Sequence, residues 1–341
     1  MPNFALIIIP TFLLSIVFTL VLMKTALKFG IIDVPDKKRK FHSKPTPLLG
    51  GVAIFLSFFI ILFYFKDYLV SGDLNEAHWI GFFIGGLILM IGGFLDDKFK
   101  LLPSSQIVFP LLASLSVVFG GVGIEKMTNP FGGYIFLSAP VSAIIIILWL
   151  IGMTYTTKLL DGLDGLVTGV SAIGSLIIFL FTISAKYYQP DIGLAALALF
   201  AASIGFLIFN FNPAKIFLGE GGSLFLGFAL GVLAIISGGK IAIALLVMGM
   251  PILDVAWTIA RRLKEGKNPF RFSDRKHLHF RLQDSGLSQK QTVLVFYAFS
   301  LVFGLSALFL QSIGKVFLLG ILVLIMFSII IVFNHFDRKK I

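Results

Sequence analysis

The sequence predicts an all-α, polytopic integral membrane protein on three observations: an extreme apolar composition, a series of apolar runs of spanning length, and a one-sided distribution of basic residues. Of 341 residues, 57% are hydrophobic and only 13% charged, and the mean hydropathy is +0.99. A soluble domain carries about a quarter charged residues, so this much apolar surface needs lipid around it rather than water. There is no Cys, which removes disulfides and thiolate metal sites. The 38 Phe and 34 Gly suit lipid-facing helices and close helix packing respectively.

Runs of about 17 to 25 apolar residues are long enough to cross a bilayer as helices. Eleven are predicted, at 4–27, 49–65, 79–95, 105–123, 138–156, 165–185, 192–211, 217–237, 240–260, 291–311 and 315–334. The first is no cleavable signal, because MPNF carries no basic residue and the run outlasts an h-region. The run at 217–237 is the least regular, since it opens with the polar GEGGS.

Eleven crossings put the termini on opposite sides. With the N-terminus outside, the inner segments hold most of the 28 Lys and Arg, and the outer ones keep Lys66, Lys126, Lys186, Lys240 and Lys315. The positive-inside rule then places the C-terminus in the cytoplasm. The net charge of +11 is therefore a topology signal, and no nucleic-acid partner is expected. The chain reads as a single membrane domain over 1–341 in a plasma or inner membrane. Its cytoplasmic loops fall at 28–48, 96–104, 157–164, 211–222 and 261–290.

Carboxylates at membrane depth are costly and usually functional or paired. Asp96, Asp97, Asp161, Asp164, Glu220 and Asp254 lie in or beside apolar runs, all near the predicted cytoplasmic face. GFLDDK puts adjacent Asp96 and Asp97 where a run meets the cytosol, an oxygen-rich pair suited to Mg²⁺. DGLDGL spaces Asp161 and Asp164 three apart, with Gly162 and Gly165 clearing room; a loop with an N-capping Asp has the same pattern. NFNPAKIFLGEGGS offers Asn210, Asn212, Glu220 and a Gly-rich turn whose N–H groups could hold phosphate, or which simply allows close packing. In DRKHLHFRL, His277 and His279 are two apart and do not share a helix face, so a helical zinc pair is not expected. With Arg281 they suit a diphosphate or sugar, and equally a solvated basic loop. His42 follows the basic run 37–40 and precedes PTPLLGG.

In their order these segments resemble the polyprenyl-phosphate N-acetylhexosamine-1-phosphate transferases, the WecA, TagO and MraY group. The resemblance runs from about Gly30 to Arg281 and includes PILDVAWTIARRL around Asp254. It implies transfer of a sugar 1-phosphate from a UDP-N-acetylhexosamine to a polyprenyl phosphate lipid, with release of UMP, at the start of a lipid-linked cell-envelope glycan such as teichoic acid or lipopolysaccharide O-antigen. It implies Mg²⁺, with Mn²⁺ as the alternative, held by Asp96, Asp97 and Glu220. Asp96, Asp97, Asp161 and Asp164 would serve catalysis. His42, Lys158, Asn210, Asp254, His277, His279 and Arg281 would bind substrate. A homodimer is the oligomer to consider.

Two positions depart from the family pattern: Lys158 stands for its usual Asn and Glu220 for its usual Asp, both at the metal in relatives. Pairing of the two side chains is expected, and a separation beyond about 8 Å would exclude it, even allowing one bridging water. Phe280 stands for the third histidine of the WecA and TagO type, as MraY has it. The loop RKFHSKPTPLLGG and DRKHLHFRL are more similar to UDP-GlcNAc users. The competing readings are an MraY-like UDP-MurNAc-pentapeptide transferase and, in another class, a transporter or flippase.

Overall fold

The computed structural model describes residues 3–35, 45–70, 74–129, 132–184, 187–238, 241–266 and 276–339, with side chains up to 333. Helices account for most of it: α1 (Phe4–Lys28), α2 (Gly50–Tyr64), α3 (Glu76–Phe99), α4 (Pro103–Gln106), α5 (Val108–Phe119), α6 (Ala139–Leu160), α7 (Leu166–Thr182), α8 (Pro190–Asn210), α9 (Gly219–Ile236), α10 (Ile241–Val247), α11 (Gly249–Lys264), α12 (Leu278–Asp284), α13 (Gln289–Phe309) and α14 (Ser312–Lys339). Two short antiparallel ladders join β1 (Ile32–Asp33) to β2 (Thr46–Pro47) and β3 (Lys126–Thr128) to β4 (Tyr134–Phe136).

Local chemistry sets several helix starts. Asn3 accepts the Ala5 N–H, and reciprocal capping boxes open α3 (Asn75 with His78) and α13 (Ser288 with Gln291). Proline stands in the first turn of α6 and α8, where a missing N–H costs nothing.

Every predicted apolar run coincides with helix, but not every run is one straight span. Among the described residues, seven helices are long and apolar enough to cross a membrane, α1, α3, α6, α8, α9, α13 and α14, and an eighth span results if α10 and α11 are taken together. Within the predicted span at 240–260 the chain is bent rather than straight: the helices meet at 79° around Met248. Pro251 in the first turn of α11 has no N–H to continue the α10 ladder. The run at 105–123 is likewise divided, into α4 and α5.

α9 is the axis of the bundle, buried along nearly all its length against α6, α3, α2 and α7. α1 and α14 lie outermost and expose Leu6, Ile9, Leu13, Phe317 and Leu324, the surface expected to meet lipid. The inward stripe of α1, Thr11, Ser15 and Thr19, is small and polar, and Ser15 Oγ donates to the Ala202 carbonyl of α8 at 2.7 Å. Small hydroxylated residues let helices approach and leave no donor unsatisfied in an apolar interior.

Candidate active site

Glycines bring three helix ends together. A Cβ on Gly93 of α3 would overlap the backbone of Gly221, and one on Gly51 of α2 would overlap Gly222. Both therefore let α9 seat its N-terminus directly against α2 and α3. Gly219 has φ +74 and packs against the Leu48 carbonyl, a left-handed conformation that a side chain would strain. Strand-like bonds then join the two segments: Phe217 N to Pro47 O at 2.8 Å, Gly50 N to Phe217 O at 3.0 Å, and Gly51 N to Leu218 O at 2.8 Å.

The charged residues gather at this same end of the bundle, where α3, α6 and α8 finish and α7 and α9 begin. A cleft of about 760 Å³ opens there, walled by Asp96, Asp97, Lys158, Asp161, Asp164 and Glu220. Asp97 Oδ2 accepts the Glu220 N–H at 3.1 Å. Lys158 Nζ lies 3.0 Å from Glu220 Oε2 and 3.4 Å from Asp96 Oδ2, and donates to Gln106 Oε1 at 3.0 Å. The pairing of Lys158 with Glu220 expected from the sequence is present. Asp96 Oδ1 is also engaged, by the Leu101 N–H at 2.9 Å and Gln106 Nε2 at 3.0 Å.

Asp161 lines the cleft at the end of α6, where its backbone N–H donates to the Lys158 carbonyl at 3.4 Å. Its side chain is open to the cleft, yet the crowded end of the bundle strips it of part of its solvation, and this, followed by the charges of Glu220, Asp97 and Asp164, pushes its carboxyl up to about 8. At pH 7 it is mostly a neutral donor. Asp164 has a different task. Its Oδ2 accepts the Asn212 side chain at 2.9 Å and the Ala214 N–H at 3.0 Å, which holds the turn carrying the cis Asn212–Pro213 bond. Asn210 is buried, accepting from Thr168 at 2.9 Å and donating to the Ile216 carbonyl at 3.0 Å, so it too braces this turn while bordering the cleft.

Asp254, His277, His279 and Arg281 form a separate buried layer that does not line the cleft. Asp254 accepts His277 Nδ1 at 2.8 Å and caps α12 by accepting the Leu278 N–H at 2.8 Å. The two imidazoles stack, with centroids 5.6 Å apart and planes 9° from parallel. His279 is 1% exposed, and among the described residues neither ring nitrogen has a hydrogen-bond partner. Burial, with His277 adding to it and Asp254 opposing, pulls its pKa down to about 3, so it stays neutral at any cellular pH. The Arg281 guanidinium lies 6.0 Å from the Phe333 ring. The layer reaches the cleft through Gly162, against which His279 Nε2 packs, and through Phe280, which lines the wall. His42 lies outside the described residues.

Sequence reasoning missed Gln106 and Gln289. Gln106 orients Lys158 and Asp96, and Gln289 accepts from Asn212 at 2.7 Å. No charge or motif marks either one.

The expected Mg²⁺ meets this geometry directly. Asp96 and Glu220, two of its three expected ligands, already hold the Lys158 ammonium. Among the described residues, no three Asp, Glu or His side chains converge to hold a metal. The residues present do not fit a resident divalent ion between Asp96 and Glu220, because the ammonium fills that gap.

Residues 79–238 match the family described as Glycosyl transferase family 4. The chain is 33% identical over 310 residues to the probable undecaprenyl-phosphate N-acetylglucosaminyl 1-phosphate transferase of Bacillus subtilis, covering 89% of this chain and 84% of that one. It is also 33% identical over 298 residues to the undecaprenyl-phosphate alpha-N-acetylglucosaminyl 1-phosphate transferase of Thermotoga maritima, covering 87% of each. A phospho-N-acetylmuramoyl-pentapeptide-transferase of Listeria monocytogenes is 32% identical over 301 residues, 81% of this chain and 87% of that one. The cleft thus lies in a protein that belongs to glycosyl transferase family 4, the polyprenyl-phosphate N-acetylhexosamine-1-phosphate transferases.

Proposed function

We propose that the chain transfers N-acetylglucosamine 1-phosphate from UDP-N-acetylglucosamine to a membrane polyprenyl phosphate, releasing UMP. The observation that carries this reading is the cleft itself. Carboxylates from α3, the turn after α6 and the start of α9 meet at one end of an apolar bundle, beside apolar residues such as Leu48, Leu101 and Phe217. A water-soluble nucleotide sugar and a lipid phosphate can meet only at such a border. The basic-residue distribution supports the cytoplasmic face of the cell membrane, with the three shorter apolar helices (Gly50–Tyr64, Pro103–Phe119 and Leu166–Thr182) completing eleven crossings.

In the reaction, an acceptor phosphate oxygen bonds to the phosphorus bearing the sugar, and the bond from that phosphorus to UMP breaks. Such transfer is mainly positioning and charge stabilisation. The acceptor monoester, with a second pKa of about 6, is already largely dianionic at pH 7. Asp97, one oxygen fixed by the Glu220 N–H, presents the other to the acceptor and takes the proton of its monoanionic fraction. Asp161, mostly protonated, donates to a diphosphate oxygen. Asp164 and Asn210 hold the turn against which the nucleotide lies.

UMP release from UDP-N-acetylglucosamine and undecaprenyl phosphate tests the assignment. Asp97→Asn abolishes it; retained activity removes Asp97 from the chemistry. The similarity to the pentapeptide transferase makes UDP-N-acetylmuramoyl-pentapeptide the rival donor, and labelled lipid product from that donor alone would select it. A transporter is disfavoured because such sites lie near the bilayer centre, whereas these carboxylates stand at one end.

A further inference from the structure

We propose that Lys158 is a built-in counter-charge of the cleft, offsetting part of the charge of Asp96 and Glu220 and filling the gap between them, so that a nucleoside diphosphate binds without a resident divalent ion there. The inference rests on the transferase reading for the identity of that anion, and on the geometry for everything else.

A wall carrying Asp96, Asp97, Asp164 and Glu220 repels a diphosphate unless a cation stands among them. Lys100 lines the cleft as an exposed side chain, whereas Lys158 stands between the carboxylates and is held there. A lysine ammonium has three donors and no acceptor. Here it donates to Asp96 Oδ2 at 3.4 Å and to Gln106 Oε1 at 3.0 Å, and it forms an ion pair with Glu220 Oε2 at 3.0 Å. The Gln106 amide is itself oriented, because its Nε2 donates to Asp96 Oδ1 and to the Leu101 carbonyl, each at 3.0 Å. Its oxygen is therefore turned to the ammonium. Asp96 in turn accepts the Leu101 N–H, so the loop after α3, the short helix α4 and the end of α6 converge on this one charge. A surface lysine that merely happened to lie near a carboxylate would lack that support. Lys158 acts through Asp96 and Glu220 and is thus a positioning residue.

The test is UDP binding to the detergent-solubilised full chain by titration calorimetry, in EDTA and in millimolar Mg²⁺. Wild type binds in EDTA and changes by less than about threefold on adding Mg²⁺. Lys158→Met binds about tenfold or more weakly in EDTA, and Mg²⁺ restores much of the loss because Asp96 and Glu220 are now free to take it. Lys158→Arg keeps the charge and most of the metal-independent affinity. A merely structural role for Lys158 would not move the Mg²⁺ dependence. Wild-type binding that collapses in EDTA and returns with Mg²⁺ overturns the proposal, as does undiminished binding by Lys158→Met in EDTA. If Lys158→Met does not fold, the wild-type comparison alone decides. Mg²⁺-dependent UDP binding would leave the transferase reading standing, whereas no UDP binding under either condition would remove both.

Discussion

Replacing Asp254 by Ala tests whether the histidine layer is a support rather than a ligand set. Asp254 is 6% exposed, and its two oxygens take the Leu278 N–H and His277 Nδ1, each at 2.8 Å. Alanine leaves both donors buried without that acceptor. An unsatisfied buried donor costs about 1–3 kcal/mol, so the pair costs about 2–6 kcal/mol. The loss falls on the docking of α12, since the Leu278 N–H is that helix's capped end. At about 3 kcal/mol, with 1.4 kcal/mol per factor of ten, the open population of α12 rises by about two orders of magnitude. Hydrogen–deuterium exchange over residues 276–284 reads this directly, with α9 as the internal reference. Asp254→Asn should lose less, because its amide oxygen can still accept the Leu278 N–H. UMP release should fall with Asp254→Ala as well, because Phe280 on α12 lines the cleft. Protection of the Leu278 amide unchanged in Asp254→Ala would refute the reasoning.

Two further outcomes follow from the same geometry. A Cβ at Gly162 would lie 2.6 Å from His279 Nε2 and 3.3 Å from the Phe280 ring; with both rings hemmed in, Gly162→Ala should cost about 1–3 kcal/mol and lower both the melting temperature and UMP release, and an unaltered melt would show that the layer yields freely. For Asp161, the native pKa of about 8 lies above the unfolded value, so the native state binds the extra proton between them. The stability tied to that proton is complete below about pH 4 and lost as pH rises through about 8. UDP affinity should accordingly decline above pH 8 in wild type, while Asp161→Asn, which donates at every pH, should lose that limb; a limb that persists in Asp161→Asn would assign it to another group.

The helices were legible because lipid imposes a minimum apolar length, and every predicted run is helical. The 79° break at Met248 was not, because a proline in a first turn also starts ordinary helices, as in α6 and α8. Among site residues, the acids were legible because charge at membrane depth is rare. Their separate tasks were not. Asp164 differs from Asp161 only in facing Asn212 and Ala214 across a turn, and nothing in DGLDGL distinguishes them. Gln106 was invisible because a neutral amide near a helix start carries no pattern; only its contacts with Lys158 and Asp96 mark it.

His277 and His279 show the harder case. Flanked by basic residues, they looked like groups reaching for phosphate, yet the fold turns His277 onto Asp254 and encloses His279. A neutral imidazole cannot supply charge to a diphosphate. It can supply shape, and its contact with Gly162 puts that shape under the turn that carries Asp161 into the cleft and Asp164 into the 212–214 brace. The one residue between those acids with room for the ring is a glycine, so the position of Asp161 depends on α12 remaining docked. The histidine segment thereby acts on the reaction through the DGLDG turn. Positive charge at the cleft comes instead from lysines, Lys158 between the carboxylates and Lys100 on the lining.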